Sequence, residues 1–130
     1  MHAPAADPFS YAIVRVVPEV ERGESLNAGV ILHSPARRFL AARVDLDEAR
    51  LRAIAPDSSA SQIKAWLDAV VVTAEGRELK GRLANLSQSE RFGLLTAPSS
   101  TVIQASPVHT GLTDSPEQEL QHLFERLVTR

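Results

Sequence analysis

The strongest constraint in the chain is a set of three short segments near its start, Ser10–Val17, Asn27–His33 and Phe39–Val44, each rich in β-branched or alternating apolar residues. Side chains on a strand alternate between two faces. The first segment then sets Tyr11, Ile13, Arg15 and Val17 against Ala12, Val14 and Val16, and the third sets Leu40, Ala42 and Val44 against Phe39, Ala41 and Arg43. In the second, Ala28, Val30 and Leu32 oppose Asn27, Gly29, Ile31 and His33. Pro18 has no N–H for a sheet ladder and closes the first strand, while Ser34–Arg38 turns the second into the third. A meander of the three has one wholly apolar face that calls for a cover of helices. Its other face is mixed and carries Tyr11, Arg15, Asn27, Gly29, His33 and Arg43.

Helical periodicity supplies that cover. Asp45 followed by Glu48 reads as a capping box opening a short helix to Ile54, stopped by Pro56. Ile63, Trp66, Leu67, Val70, Val71 and Ala74 then repeat at helical spacing between a serine-rich start and Gly76, which predicts a helix with Trp66 in the core. Ser87–Glu90 could start a short helical turn. Thr101–Ala105 reads as a fourth strand, and Ser106–Gly111 continues as an extended or turning segment. Ser115, Pro116 and Gln118 form the start of a last helix whose stripe is Leu120, Leu123, Phe124, Leu127 and Val128. The expected fold is α+β, a mostly antiparallel four-stranded sheet in β-β-β-α-α-β-α order with helices packed on one face. Residues 1–9 are expected to be a flexible arm and residues 10–130 a single domain.

Composition narrows the function classes. The 130 residues are 44% hydrophobic and 23% charged, an ordinary globular balance. A formal net charge of −2 gives no global attraction to nucleic acid or to an anionic membrane. With no cysteine, disulfides, thiolate metal sites and cysteine nucleophiles are excluded. His2, His33, His109 and His122 are too far apart in sequence for a local two-histidine metal motif, and no cofactor is expected. No apolar run approaches a membrane span, so the expectation is a soluble, cytoplasmic protein.

The polar stretch between the first two strands carries the chemistry worth weighing. Arg22 sits among Glu19, Glu21 and Glu24 beside Gly23. It either pairs with an acid and holds the loop shut or clamps a phosphate or carboxylate. Glu24 could act as a base, and Asn27 and Gly29 lie on the mixed face where a ligand could approach. His109, in a segment dense in hydroxyls, is a candidate for proton transfer or for tethering its loop, with Gln104, Ser100, Thr101 and Ser106 able to add hydrogen bonds. A triad of Ser106, His109 and Asp114 lacks any nucleophile-elbow pattern. Arg15, Arg37, Arg38 and Arg43 could form a modest basic patch, without the aromatic interleaving of single-strand binders.

Two segments carry a resemblance: Tyr11–Pro18 running into Arg22–Leu32, with its arginine-glycine-glutamate to asparagine-x-glycine spacing, and Thr101–Gly111. Together they resemble bacterial family 3037 of the domains of unknown function, from Tyr11 to the last helix. Members are often encoded beside a protein with a HipA-type kinase fold, so the resemblance implies a protein partner of that kind. The leading expectation is a non-enzymatic interaction module using the mixed strand face and the Arg22 loop. An open sheet face also permits a homodimer. The alternative is a small hydrolase or a nucleotide- or phosphate-binding protein with a polar site drawn from Arg15, Arg22, Glu24, Asn27, Gln104 and His109. Nucleic-acid binding through the arginines is a weaker third reading.

Overall fold

The computed structural model describes residues 5–130. Over these the chain runs β1 (Asp7–Val16), β2 (Leu26–Ser34), β3 (Phe39–Val44), α1 (Glu48–Ile54), α2 (Ala60–Glu75), α3 (Gln88–Thr96), β4 (Ile103–Ala105), β5 (His109–Thr113) and α4 (Pro116–Leu127), with two short 3-10 turns. All pairings are antiparallel and the sheet is ordered β3-β2-β1, with β4 and β5 lying one after the other along the far side of β1. The α+β architecture is therefore the one expected. A fifth strand is added because His109–Thr113, expected only as extended or turning chain, pairs with Asp7–Tyr11. The same pairing shortens the arm expected over residues 1–9, since Asp7, Pro8 and Phe9 already belong to β1; Met1–Pro4 fall outside the described residues.

The break between β4 and β5 is filled by one side chain. Ser106 N–H donates to the Ile13 carbonyl at 2.8 Å, and its Oγ accepts from the Ile13 N–H at 2.8 Å while donating to the Pro107 carbonyl. The hydroxyl thus stands in for a backbone carbonyl and keeps the ladder intact across the interruption.

Helices cover both faces of the sheet, which corrects the one-sided packing read from the sequence. Val14, Val16, Ile31, Leu40 and Ala42 pack with Leu51, Ile63, Leu67 and Phe92 of α1, α2 and α3. On the opposite face Phe9, Val30 and Leu32 pack with Leu120 and Leu123 of α4. The register explains the difference. Val14 faces Gly29 but Arg15 faces Asn27, so Ala28 is an extra residue in β2, a bulge. Val30 and Leu32 therefore share a face with Tyr11 and Ile13, and Gly29, Ile31 and His33 share one with Ala12 and Val14. Gly29 is required there: a Cβ would lie 2.8 Å from both the Arg43 carbonyl and a Val44 methyl.

Local signals set the helix ends. Asp47, rather than Asp45, caps α1 by accepting from Arg50 N–H. Ser59 caps α2, and Gly76 ends it with φ 74°, its N–H bonded back to Val72 and Thr73 carbonyls. Ser87 and Glu90 form a reciprocal capping box at α3, and Ser115 caps α4 with Pro116 in the first turn. The buried Arg91 fastens α3 to the end of α2, donating to the Thr73 carbonyl at 3.0 Å, to Ala74 at 3.4 Å and to Leu86 at 3.0 Å. Those first two are among the last carbonyls of α2, which a guanidinium both satisfies and stabilises electrostatically. No helix among the described residues is long and apolar enough to cross a membrane.

Candidate functional site

At 100° per residue, Ile63, Leu67, Val70 and Ala74 of α2 fall within about 60° of arc and face the sheet, while Trp66 and Val71 sit about 70° to either side. Trp66 is accordingly not the core residue expected: it is 42% exposed on the flank of the helix. It forms one wall of a groove of about 560 Å³ with Ala69 and Val70; the other wall is Ser100, Thr101, Val102 and Ile103, and Val20 closes one side. Val20 is also 42% exposed. An indole and an aliphatic side chain standing open beside one apolar cleft lose water favourably when an apolar group enters it.

The residues that hold this groove are largely the polar ones marked in the sequence. The β1–β2 loop folds back on itself through Arg22 and Gly23 N–H bonds to the Glu19 carbonyl at 3.0 and 3.2 Å, with Gly23 at φ 72°. Arg22 Nε bonds Glu24 Oε1 at 2.6 Å and approaches Glu19 Oε2 at 3.5 Å. The bond to Glu24, followed by the two negative charges, raises the Arg22 pKa above its ordinary value. Arg22 is thus occupied as an intraloop clamp, and the loop it clamps presents Val20. On the other wall, Gln104 Nε2 donates to the Thr101 carbonyl at 2.8 Å, Thr101 Oγ1 lies 2.7 Å from Ser99 Oγ, and Val17 N–H donates to the Val102 carbonyl at 2.7 Å. The first two brace residues 99–104 internally, and the third ties them to the end of β1.

The remaining candidates lie on the sheet. Arg15 is paired in register with Asn27 on one side and Gln104 on the other, so these three form a row across β2, β1 and β4. Asn27 Nδ2 donates to the Leu127 carbonyl at 3.1 Å, satisfying a C-terminal carbonyl of α4. His109 pairs with Tyr11, their rings 5.2 Å apart. Tyr11 and Arg15 are four residues apart on β1, about 13 Å at strand rise. His109 and the Arg22 loop therefore lie toward opposite ends of β1, and Arg22, Glu24, Asn27, Gln104 and His109 do not share one pocket. The oxygen of Ser106 is buried in the ladder and unsuited to a nucleophilic role. Nor do the arginines form one patch: Arg37 is ion-paired to Asp7 and bonded to the Ala5 carbonyl, whereas Arg43 lies on the far strand. Among the described residues no three His, Asp or Glu side chains are grouped to hold a metal.

The sequence signal that could have placed Trp66 was its phase: it precedes the Leu67–Val70–Ala74 stripe on the helical wheel rather than lying within it. A family model described as protein of unknown function (DUF3037) matches residues 11–128. The chain belongs to the DUF3037 family. The match spans the Arg22 loop, the whole of α2 and the Ser99–Gln104 wall, so the groove lies within the family domain. No curated protein and no solved structure matches the chain.

Proposed function

We propose that this DUF3037 domain is a non-enzymatic protein-interaction module whose contact site is the Trp66 groove. The observation that carries the reading is the exposed indole beside Val20 in an apolar cleft whose walls are held by hydrogen bonds. Tryptophan seated at a desolvating pocket is the residue type most often responsible for binding energy between proteins. The first partner to test is the one the family resemblance implies, a protein with the HipA-type kinase fold.

Trp66 is this chain's only tryptophan, so its emission, read as the difference from that of the partner alone, reports the groove. Adding the partner is expected to shift that emission to the blue, and Val20→Asp to weaken binding by about tenfold or more. Trp66→Ala, followed by calorimetry, is expected to do the same without lowering the melting temperature much, since the ring is far from fully buried. Unchanged affinity in both variants would overturn the reading.

A further inference from the structure

The Trp66 groove has a neighbour. Val70 and Ile103, which line the groove, also line a pit of about 200 Å³ bounded by Leu94 and Leu95 of α3 and by Val14 and Ile31 of the sheet. The two sheet residues belong to the core and are 2% and 1% exposed, whereas Leu94 is 54% exposed. A dry apolar cavity of about 150 Å³ already holds a benzene ring, so the pit has room for one phenylalanine or leucine side chain. Groove and pit are thus two apolar hollows sharing a wall one side chain thick.

The wall opposite Trp66 decides how an occupant is held. Its Thr101 carbonyl accepts from Gln104 Nε2, its Val102 carbonyl from Val17 N–H, and its Ile103 carbonyl from Thr101 Oγ1 at 2.8 Å. Thr101 N–H donates to Ser99 Oγ at 3.2 Å. A strand laid along this wall meets backbone groups that are already bonded, so the occupant is held by its side chains, as a helix in a groove is. Residues three or four apart on a helix stand about 5–6 Å apart at Cβ, which suits two hollows divided by one side chain. Charge sets the sign of that helix. Segments 66–70 and 94–105 carry a single charged residue, Asp68, which lies beside Val44 on the other flank of α2, and the nearby Lys64 is bonded to Glu48. The loop presenting Val20 sets Glu19, Glu21 and Glu24 against Arg22 alone. Arg22 is already bonded to Glu24 and close to Glu19, so the loop keeps an excess of two negative charges.

We propose, resting on the groove as the contact site, that the partner segment it receives is a basic amphipathic helix with two large apolar side chains three or four residues apart. One lies against the Trp66 indole and the other fills the pit beside Leu94. Each enters a hollow lined by apolar side chains and gains by leaving water. Lysines or arginines on the flank of the helix nearest Val20 meet the loop carboxylates, which favours encounter and fixes orientation.

The probe is the peptide Lys-Ala-Ala-Lys-Ala-Phe-Lys-Ala-Ala-Leu-Lys-Ala-Ala-Lys, whose helix sets phenylalanine and leucine four residues apart on one face. An isomer with leucine two residues after phenylalanine puts them on opposite sides, and a third peptide has glutamate for every lysine. None contains tryptophan, so any blue shift in emission comes from Trp66. The first peptide is expected to bind with such a shift. Binding is expected to be about tenfold weaker for the isomer, for the acidic peptide and for the first peptide with Leu94→Gln, a change at an exposed residue. The proposal is overturned if the isomer or the acidic peptide binds equally well, if Leu94→Gln binds as the parent does, or if no peptide shifts the emission. Failure of the groove itself reads differently. A partner protein weakened by Val20→Asp but not by Leu94→Gln keeps the groove and removes the second anchor, whereas one indifferent to both removes the two together.

Discussion

Arg91 does at one position what several residues usually share. Its guanidinium fork reaches carbonyls at Thr73, Ala74 and Leu86, and it lies against Gly76, where even a Cβ would come within 3.0 Å of Nη2. Removing it takes the side-chain donor from the buried Ala74 carbonyl at the end of α2 and from the Leu86 carbonyl, Thr73 keeping the Gly76 N–H, while a lysine in its place offers a point charge without the planar fork. Arg91→Ala is expected to cost about 2 kcal/mol in denaturant unfolding, and Arg91→Lys to recover only part of it. Nothing in the sequence marks this residue, because an arginine four places after a serine cap looks like any exposed helical cation. The opposite holds for Arg22, conspicuous among its acids, which serves the shape of its loop.

At the level of the elements, β3 and the ends of α2 could be read from the chain because one local signal decides each. Phe39–Val44 alternates cleanly, and Ser59 and Gly76 carry capping chemistry that acts within a single turn. The phase of β2 could not be read. It is buried along almost its whole length, so apolar residues occur on both sides and alternation vanishes, while the bulge at Ala28 shifts the register by one. From that one slip followed the misplacement of α4, which covers the face assigned to open polar chemistry. The candidate site was legible in its polar supports, Arg22, Glu24 and Gln104, and illegible in Trp66, whose exposure depends on how α2 rotates against the sheet. Asn27 now has a structural task, holding the last turn of α4 through the Leu127 carbonyl. Asn27→Ala is expected to cost about 1 kcal/mol and to speed hydrogen exchange in the final turn of α4 while α2 keeps its protection.

Across the whole molecule, His33 links the layers. It is buried on β2 with its ring 5.2 Å from that of Phe92 on α3, and burial lowers its pKa from the ordinary 6.5. The unfolded chain therefore binds a proton at a pH where the folded chain does not, so stability rises with pH through this window. The contribution is complete above pH 6.5 and is lost as pH falls through the lower folded value. Urea midpoints are expected to drop as pH is lowered from about 7.5 to about 5.5, above the ordinary carboxylate range, and this dependence should flatten in His33→Phe. A midpoint unaffected by pH in the parent protein would show that the ring accepts its proton without loss of packing.

The tandem placement of β4 and β5 beside β1 also fixes an order of events. The bond from Ile13 to Ser106 joins residues 93 positions apart. A nascent chain can therefore form the β1–β2–β3 meander early, yet its first strand keeps one side unpaired until residues 103–113 have emerged from the ribosome. Closure across so long a loop is slow, and an open hydrophobic strand in the interval is a substrate for chaperones and for aggregation. During synthesis, then, the vulnerable border of this sheet is the one that is sealed in the finished fold.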